Sequence, residues 1–252
     1  MNIRFLAFFL LAFGVFAVGP AGAAELPPLS AVIQTLECPF QGSASSGAVI
    51  KDFKASFTQQ SHLVSLDRTQ TGSGEVAVKF VRSGAKSRPQ ALFRWDYQKP
   101  AVQHIISDGR TVWVYVPDNH QVFRSPIDAN GVSRPDDPVT FLTGLGDLKR
   151  DFTVAYAVPA RDETGNSVLT LRPRHPSPLL ARLDVVVDRR AVAGDRAVFP
   201  LRSTLVVDAG GNTTRIAFDH VVVNVSLPDR LFHFTVPPGV EVLNPSLQQD
   251  QQ

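Results

Sequence analysis

The chain is poor in the residues that build disulfides and metal sites. Cys38 is the single cysteine among 252 residues, so no internal disulfide can form. The six histidines are scattered, with no His-x-x-x-His pair backed by a third ligand, and there is no Cys-x-x-Cys pair. Zinc sites normally show such spacings. The sequence therefore predicts neither a metal nor another cofactor.

The chain also lacks the common sequence motifs of enzymes, and its positive and negative charges are nearly balanced. The chain has no Gly-x-Ser-x-Gly elbow and no phosphate-binding glycine loop followed by Lys-Ser or Lys-Thr. We therefore expect no enzymatic activity. Lysine and arginine together number 25, against 23 aspartates and glutamates, which gives a net charge of +2. Without a basic stripe, nucleic acid is not an expected partner.

The N-terminus has the pattern of an export signal. Arg4 gives a positive start, residues 5–18 are apolar, and residues 21–24 are small. The apolar run is shorter than the ~20 residues of a membrane-spanning helix. We predict that residues 1–24 are a signal peptide, that 25–252 form a single domain, and that the protein is a soluble periplasmic one.

After the signal, patterns typical of β-strands dominate. Turn signals rich in Gly, Asn and Asp separate them, and no helix of 10–15 residues lies between, which favours antiparallel meanders over βαβ units. A sheet of about 11–12 strands has to curl or close. The predicted strands are 55–66, 74–82, 91–98, 102–107, 111–116, 121–125, 152–158, 167–172, 182–188, 201–208, 213–225 and 231–236.

Two segments have helical rather than strand periodicity. Residues 26–36 place Leu29, Ile33 and Leu36 on one helix face. Residues 138–148 repeat this with Phe141, Leu142, Leu145 and Leu148, although two glycines weaken the helix. This second helix is either a movable lid or a fixed plug at the end of a barrel, and the pattern supports both equally.

The strands carry more apolar surface than so few helices can cover. In 91–98, Phe93, Trp95 and Tyr97 share one face, and in 111–116 both faces are apolar. Such a sheet buries its face on itself, on the helices or on a ligand. From the pattern alone, a filled core is favoured.

Five segments in a fixed order resemble the LolA family, the periplasmic outer-membrane lipoprotein carrier proteins. The resemblance extends from about residue 26 to 243. It is carried by FKASFTQQ at 53–60, GSGEV at 72–76, RPQALFRWDY at 88–97, SDGRTVWVY at 107–115 and FHFTVPPGV at 232–240.

The resemblance implies a fold and a function without catalysis. It implies an unclosed antiparallel β-barrel with short lid helices over a hydrophobic cavity. It also implies a monomeric carrier that receives acylated lipoproteins from an inner-membrane ABC lipoprotein-releasing transporter and passes them to an outer-membrane lipoprotein receptor.

The same resemblance implies roles for individual residues. Arg88 would hold the lid shut through hydrogen bonds to backbone carbonyls. The lid would present its apolar face through Phe141, Leu142, Leu145 and Leu148. The cavity would be lined by Phe93, Trp95, Trp113, Tyr115, Ile33 and Leu36.

Departures from the family pattern keep two alternatives open. One extra residue separates Arg88 from Phe93, and segments 38–48, 126–138 and 189–199 look like insertions. A carrier of the same fold for another lipid or amphiphile is therefore the first alternative. A periplasmic hydrolase, motivated by the scattered serines, histidines and aspartates, is the weaker one.

Overall fold

A computed structural model describes residues 25–41, 49–82, 90–127, 148–175, 178 and 180–244. Its helices are α1 (Leu29–Gln41), α2 (Leu148–Asp151) and α3 (Arg189–Val192). None of the helices in these ranges is both long and apolar enough to span a membrane. The strands are β1 (Asp52–Leu63), β2 (Arg68–Val81), β3 (Gln90–Lys99), β4 (Gln103–Ser107), β5 (Thr111–Val116), β6 (Gln121–Pro126), β7 (Phe152–Arg161), β8 (Ser167–Pro173), β9 (Arg182–Val187), β10 (Leu201–Val207), β11 (Thr213–Val223) and β12 (Glu241–Leu243).

All twelve strands form one sheet in the order β12-β6-β5-β4-β3-β2-β1-β11-β10-β9-β8-β7. Every neighbouring pair is antiparallel except β12 and β6, which are parallel. The edge strands β12 and β7 do not pair with each other, so the sheet is unclosed. The predicted mainly β, unclosed architecture is therefore confirmed.

The predicted strand at 231–236 is wrong. Residues Asp229–Phe232 form a 3-10 turn, and the last strand begins only at Glu241. Phe232 is buried with Leu92 on the outside of the sheet and Val236 is exposed, so neither is paired within the sheet. Phe232, Phe234 and Val236 alternate with His233 and Thr235 as in a strand, but none of the described strands pairs with this segment.

The pairing of β2 with β3 is irregular at Gly74. The register shifts between Ser73 and Gly74, and a Cβ added to Gly74 would lie 2.0 Å from the carbonyl oxygen of Asp96. Only glycine allows the two backbones to approach this closely. A second irregularity lies in β1, between Lys54 and Ser56. Since bulges increase local twist, these two positions help the sheet to curl.

The sheet curls around α1. This helix buries Val32, Ile33, Leu36 and Phe40. They belong to one hydrophobic cluster with side chains from both halves of the sheet, such as Val78 of β2 and Leu169 of β8. A single helix can touch strands so distant in the sheet order only if the sheet is concave towards it. We call this the inner face.

The opposite, outer face is partly covered by residues 224–240, which we call the C-terminal strap. Asp52 fixes its start by accepting hydrogen bonds from the backbone N–H groups of Val225 (2.7 Å) and Leu227 (3.2 Å). The Lys79 ammonium donates to the Leu227 carbonyl (2.9 Å) and to the Asp229 carboxylate (2.6 Å). The strap therefore packs over β2 and β3 before its chain reaches β12.

Candidate functional site

The inner face is an apolar surface that crosses the sheet. On β3 it is formed by Ala91, Phe93, Trp95 and Tyr97, as the alternation predicts, since Phe93 pairs with Val78 and Trp95 with Val76. Pairing extends this face in both directions. On the far side it includes Val154, Leu169, Leu171, Leu183, Val185, Ile216 and Phe218.

Five of the residues assigned to the cavity or the lid from the sequence come together here. They are less than 4% exposed and lie in one cluster: Ile33, Leu36, Phe93, Trp95 and Leu148. Their proximity agrees with a shared role.

Trp113 and Tyr115 do not join this cluster. The register pairs Ile105 with Val114, so Val112 and Val114 face inwards and the two aromatic residues face outwards. There both rings pack against Phe234 of the strap, with centroid distances of 6.2 and 5.6 Å. Their assignment to the cavity is therefore wrong. The sequence could not decide between the two faces of β5, because both are apolar.

The remaining sequence-predicted site residues lie outside the described residues. These are Arg88, Phe141, Leu142 and Leu145. Of the predicted lid face, only Leu148 is described. Its backbone N–H donates to the Glu37 carboxylate at 2.8 Å, which ties the start of α2 to α1.

Side chains from the sheet hold α1 at its two ends by donating hydrogen bonds to backbone carbonyls there. At the C-terminal end, the Arg82 guanidinium donates to the carbonyls of Phe40 (2.5 Å) and Gln41 (2.8 Å). A cation at this end also interacts favourably with the helix dipole. Sequence reasoning missed Arg82, because nothing in its local pattern indicates that the end of β2 meets the end of α1.

The other end of α1 is held from β7. The Tyr156 hydroxyl donates to the carbonyl of Pro27 at 2.5 Å, and the Arg161 guanidinium donates to that of Glu25 at 2.8 Å. Burial is the main cause that raises the pKa of the Tyr156 hydroxyl, against smaller opposing effects of Ser167 and Arg161. The phenol is therefore neutral and a hydrogen-bond donor at physiological pH.

An aromatic group lines the middle of the inner face. Phe57 meets Trp95 edge-on with a centroid distance of 4.7 Å, and Tyr97 at 4.8 Å. Phe218 closes the group from β11, 6.1 Å from Trp95. The Trp95 indole N–H is buried and finds no hydrogen-bond partner among the described residues. The site therefore combines a large apolar surface with one unsatisfied donor.

The described residues offer nothing that resembles a metal centre. No group of three His, Cys, Asp or Glu side chains among them could hold an ion. The carboxylates whose pKa values are lowered, Asp162, Asp188 and Asp229, lie in turns or on the strap rather than on the inner face. The chemistry that the inner face supports is the binding of apolar groups.

Comparison with known proteins gives the family. The family described as outer membrane lipoprotein carrier protein LolA matches residues 48–235. An outer-membrane lipoprotein carrier protein of Bordetella avium is 37% identical over 64% of this chain and 69% of its own. That of Cupriavidus pinatubonensis is 33% identical over 77% of this chain and 82% of its own. A crystal structure of a LolA superfamily protein from Nitrosomonas europaea covers 82% of this chain and 97% of its own, with a TM-score of 0.39 and 12% identity. Because the family match spans well over half of the sequence, this chain belongs to the LolA family.

Proposed function

We propose that the protein is a periplasmic carrier that holds the acyl chains of lipoproteins against its inner face. The observation that carries the proposal is the apolar inner face, which extends from β7 to β3 around a single helix in a member of the LolA family. The relatives are named for the same task. We propose no catalytic step.

The energetics of an acyl chain make such a carrier necessary. Each CH₂ group of a lipid anchor contributes about 0.8 kcal/mol to membrane binding, so an anchor does not cross an aqueous compartment unaided. A protein that takes up the acyl chains has to bury their apolar surface as the membrane does. The aromatic and aliphatic side chains of the inner face can do so once α1 gives way.

Helix α1 suits the role of a displaceable cover. It is attached to the sheet through side-chain hydrogen bonds to carbonyls near its two ends, at Pro27 and at Phe40 and Gln41, and through its apolar face. Acyl chains can replace the apolar contacts of α1 with contacts of the same kind. The net free energy of opening is therefore smaller than the full burial of the helix.

Membership of the LolA family supports further proposals about export, closure of the site and partner proteins. We propose that residues 1–24 direct export, that residues 25–252 act as one domain and as a monomer, and that Arg88 and the apolar residues of 138–148 close the site. The donor would be an inner-membrane ABC lipoprotein-releasing transporter, and the acceptor an outer-membrane lipoprotein receptor.

The proposal is tested by identifying what the protein captures. The full chain with a C-terminal tag is expressed, so that the signal peptide directs export. The tagged protein is then recovered from the periplasm and analysed by mass spectrometry for bound lipoproteins and free lipids. We expect acylated lipoproteins. Free lipid alone, or no acylated species even after crosslinking before lysis, would contradict the proposal.

Two adjacent substitutions provide the control. Val154 is half-buried on the inner face of β7, and Ala155 is the next residue, exposed on the outer face. Val154→Glu should abolish capture, because a charge cannot be buried under an acyl chain. Ala155→Glu should capture normally, and matching melting temperatures would show that both variants fold.

A further inference from the structure

The inner face changes from apolar to polar along its strands. On β1, the inward residues are Phe53 and Phe57 near α1, followed by Gln59 and Ser61. On β3, Tyr97 follows Trp95 in the same direction, and on β11 the residue beyond Ile216 is Thr214. Three strands therefore turn polar towards the same end of the sheet. The change is staggered, because Tyr97 lies level with Phe57, Gln59 with Ile216 and Ser61 with Thr214.

The polar side chains at this end form a connected group that runs diagonally across the strands, which we call the polar row: Tyr97, Gln59, Ser61 and Thr214. The Tyr97 hydroxyl donates to the Gln59 carbonyl oxygen at 2.7 Å, and the Gln59 amide nitrogen donates to the Ser61 hydroxyl at 3.1 Å. Ser61 and Thr214 share a hydrogen bond of 3.1 Å. All four side chains are half-buried.

Glycines of β2 make the polar row possible. Tyr97 lies on β3 and Gln59 on β1, with Gly72 and Gly74 of β2 between them. A Cβ on Gly72 would lie 3.4 Å from the Tyr97 ring. The ring can therefore cross β2 and reach the amide only because no side chain stands in its path.

Two N–H donors at this boundary have no acceptor among the described residues. The Gln59 amide nitrogen carries two hydrogens, and among the described residues only Ser61 accepts one. The Trp95 N–H, on an indole with no exposed surface, has no partner in the part of the chain that the structure describes. An unsatisfied buried donor costs about 1–3 kcal/mol, so a ligand that brings an acceptor to it gains that amount. Both donors are neutral, which suits a carbonyl oxygen.

We propose that the polar row and the Trp95 N–H bind the carbonyl groups of the ester and amide bonds that join acyl chains to a lipoprotein. The chains would then lie on the apolar part of the inner face towards α1, and the protein moiety would leave past the polar row. This inference rests on the proposed function and adds an orientation and a recognised group to it.

The test compares two probes on two variants. One probe is a synthetic peptide with an N-terminal S-(dipalmitoyloxypropyl)cysteine, and the other has the same chains joined by ether bonds, which lack the carbonyls. Wild-type protein should bind the ester probe about fivefold more tightly, the value of one net hydrogen bond. Gln59→Leu should lower the ratio at least twofold, because only the Trp95 N–H then remains, whereas Gln60→Leu, an exposed outer-face neighbour, should keep it.

The possible results separate this inference from the proposed function. Equal binding of both probes by wild-type protein, or an unchanged ratio in Gln59→Leu, would overturn the inference alone. Failure of wild-type protein to bind either probe would overturn the proposed function as well. If Gln59→Leu does not fold, Tyr97→Phe, which removes the hydroxyl that orients Gln59, should lower the ratio at least twofold.

Discussion

Single side chains decide how firmly α1 is held. Arg82 bonds two carbonyls in the last turn of the helix, and Tyr156 bonds the carbonyl that precedes it. A guanidinium can satisfy two acceptors at once, which lysine cannot do with the same geometry. These hydrogen bonds fix the position of α1 on the sheet at a few points near its ends.

Removal of Arg82 should loosen α1 while the sheet stays intact. Arg82→Ala leaves the Phe40 and Gln41 carbonyls without their donor, so we expect a loss of about 2 kcal/mol in the local stability of the helix. Hydrogen exchange followed by mass spectrometry should show faster exchange in residues 29–41 and unchanged exchange in β9 and β10. Arg68→Ala, at an exposed position, serves as the control. Unchanged protection of α1 would contradict the role of Arg82.

A second residue-scale effect concerns acid stability. Burial by itself would raise the pKa of Asp188, but hydrogen bonds from Arg190 and the charges of Arg190 and Arg202 lower it below its ordinary value. Because the folded-state pKa lies below the unfolded value, the stabilisation is complete above about pH 4 and is lost as the pH falls through the folded-state pKa.

Asp188→Asn should therefore be less stable than wild type at pH 7, by about 2 kcal/mol, and the difference should shrink below pH 4. Urea unfolding at pH 7 and at about pH 3 measures both values. Asp118→Asn, which changes an exposed acid in the β5–β6 turn, serves as the matched control. A difference that stays constant across the two pH values would show that the charge of Asp188 does not matter.

At the scale of elements, the strands could be predicted because their faces alternate. The β3 face was predicted correctly, and β5 and β9 lie within one or two residues of their expected bounds. The strap could not be predicted, since it depends on Asp52 contacting residues 173 and 175 positions later. No local pattern encodes such a contact.

The close approach of β2 and β3 should depend on Gly74. Gly74→Ala places a Cβ 2.0 Å from a backbone oxygen that cannot move without breaking the ladder, so we expect a loss of about 3 kcal/mol or failure to fold. Gly72→Ala is the graded control, because its Cβ meets its nearest neighbour at 3.3 Å. Chemical denaturation compares the two. Equal stability of both variants would refute the close approach.

At the scale of the whole molecule, an unclosed sheet around one helix explains which site residues could be predicted. Phe93 and Trp95 lie on the more apolar face of β3, and Leu36 lies on the apolar face of α1. Their inward direction therefore follows from the periodicity of the sequence. Trp113 and Tyr115 belong to a strand that is covered on both sides, and only the path of the strap shows which side they occupy.

The central claim is that acyl chains bind to the inner face and not to the outer one. Val206 and Leu205 are adjacent and half-buried, but Val206 packs against the inner cluster and Leu205 faces the other way. A photoreactive phenylalanine at each position, followed by illumination with a lipoprotein that carries labelled palmitate, tests the claim directly. We predict labelled crosslinks from position 206 and none from 205. Equal crosslinking from both positions, or crosslinking from 205 alone, would contradict the account.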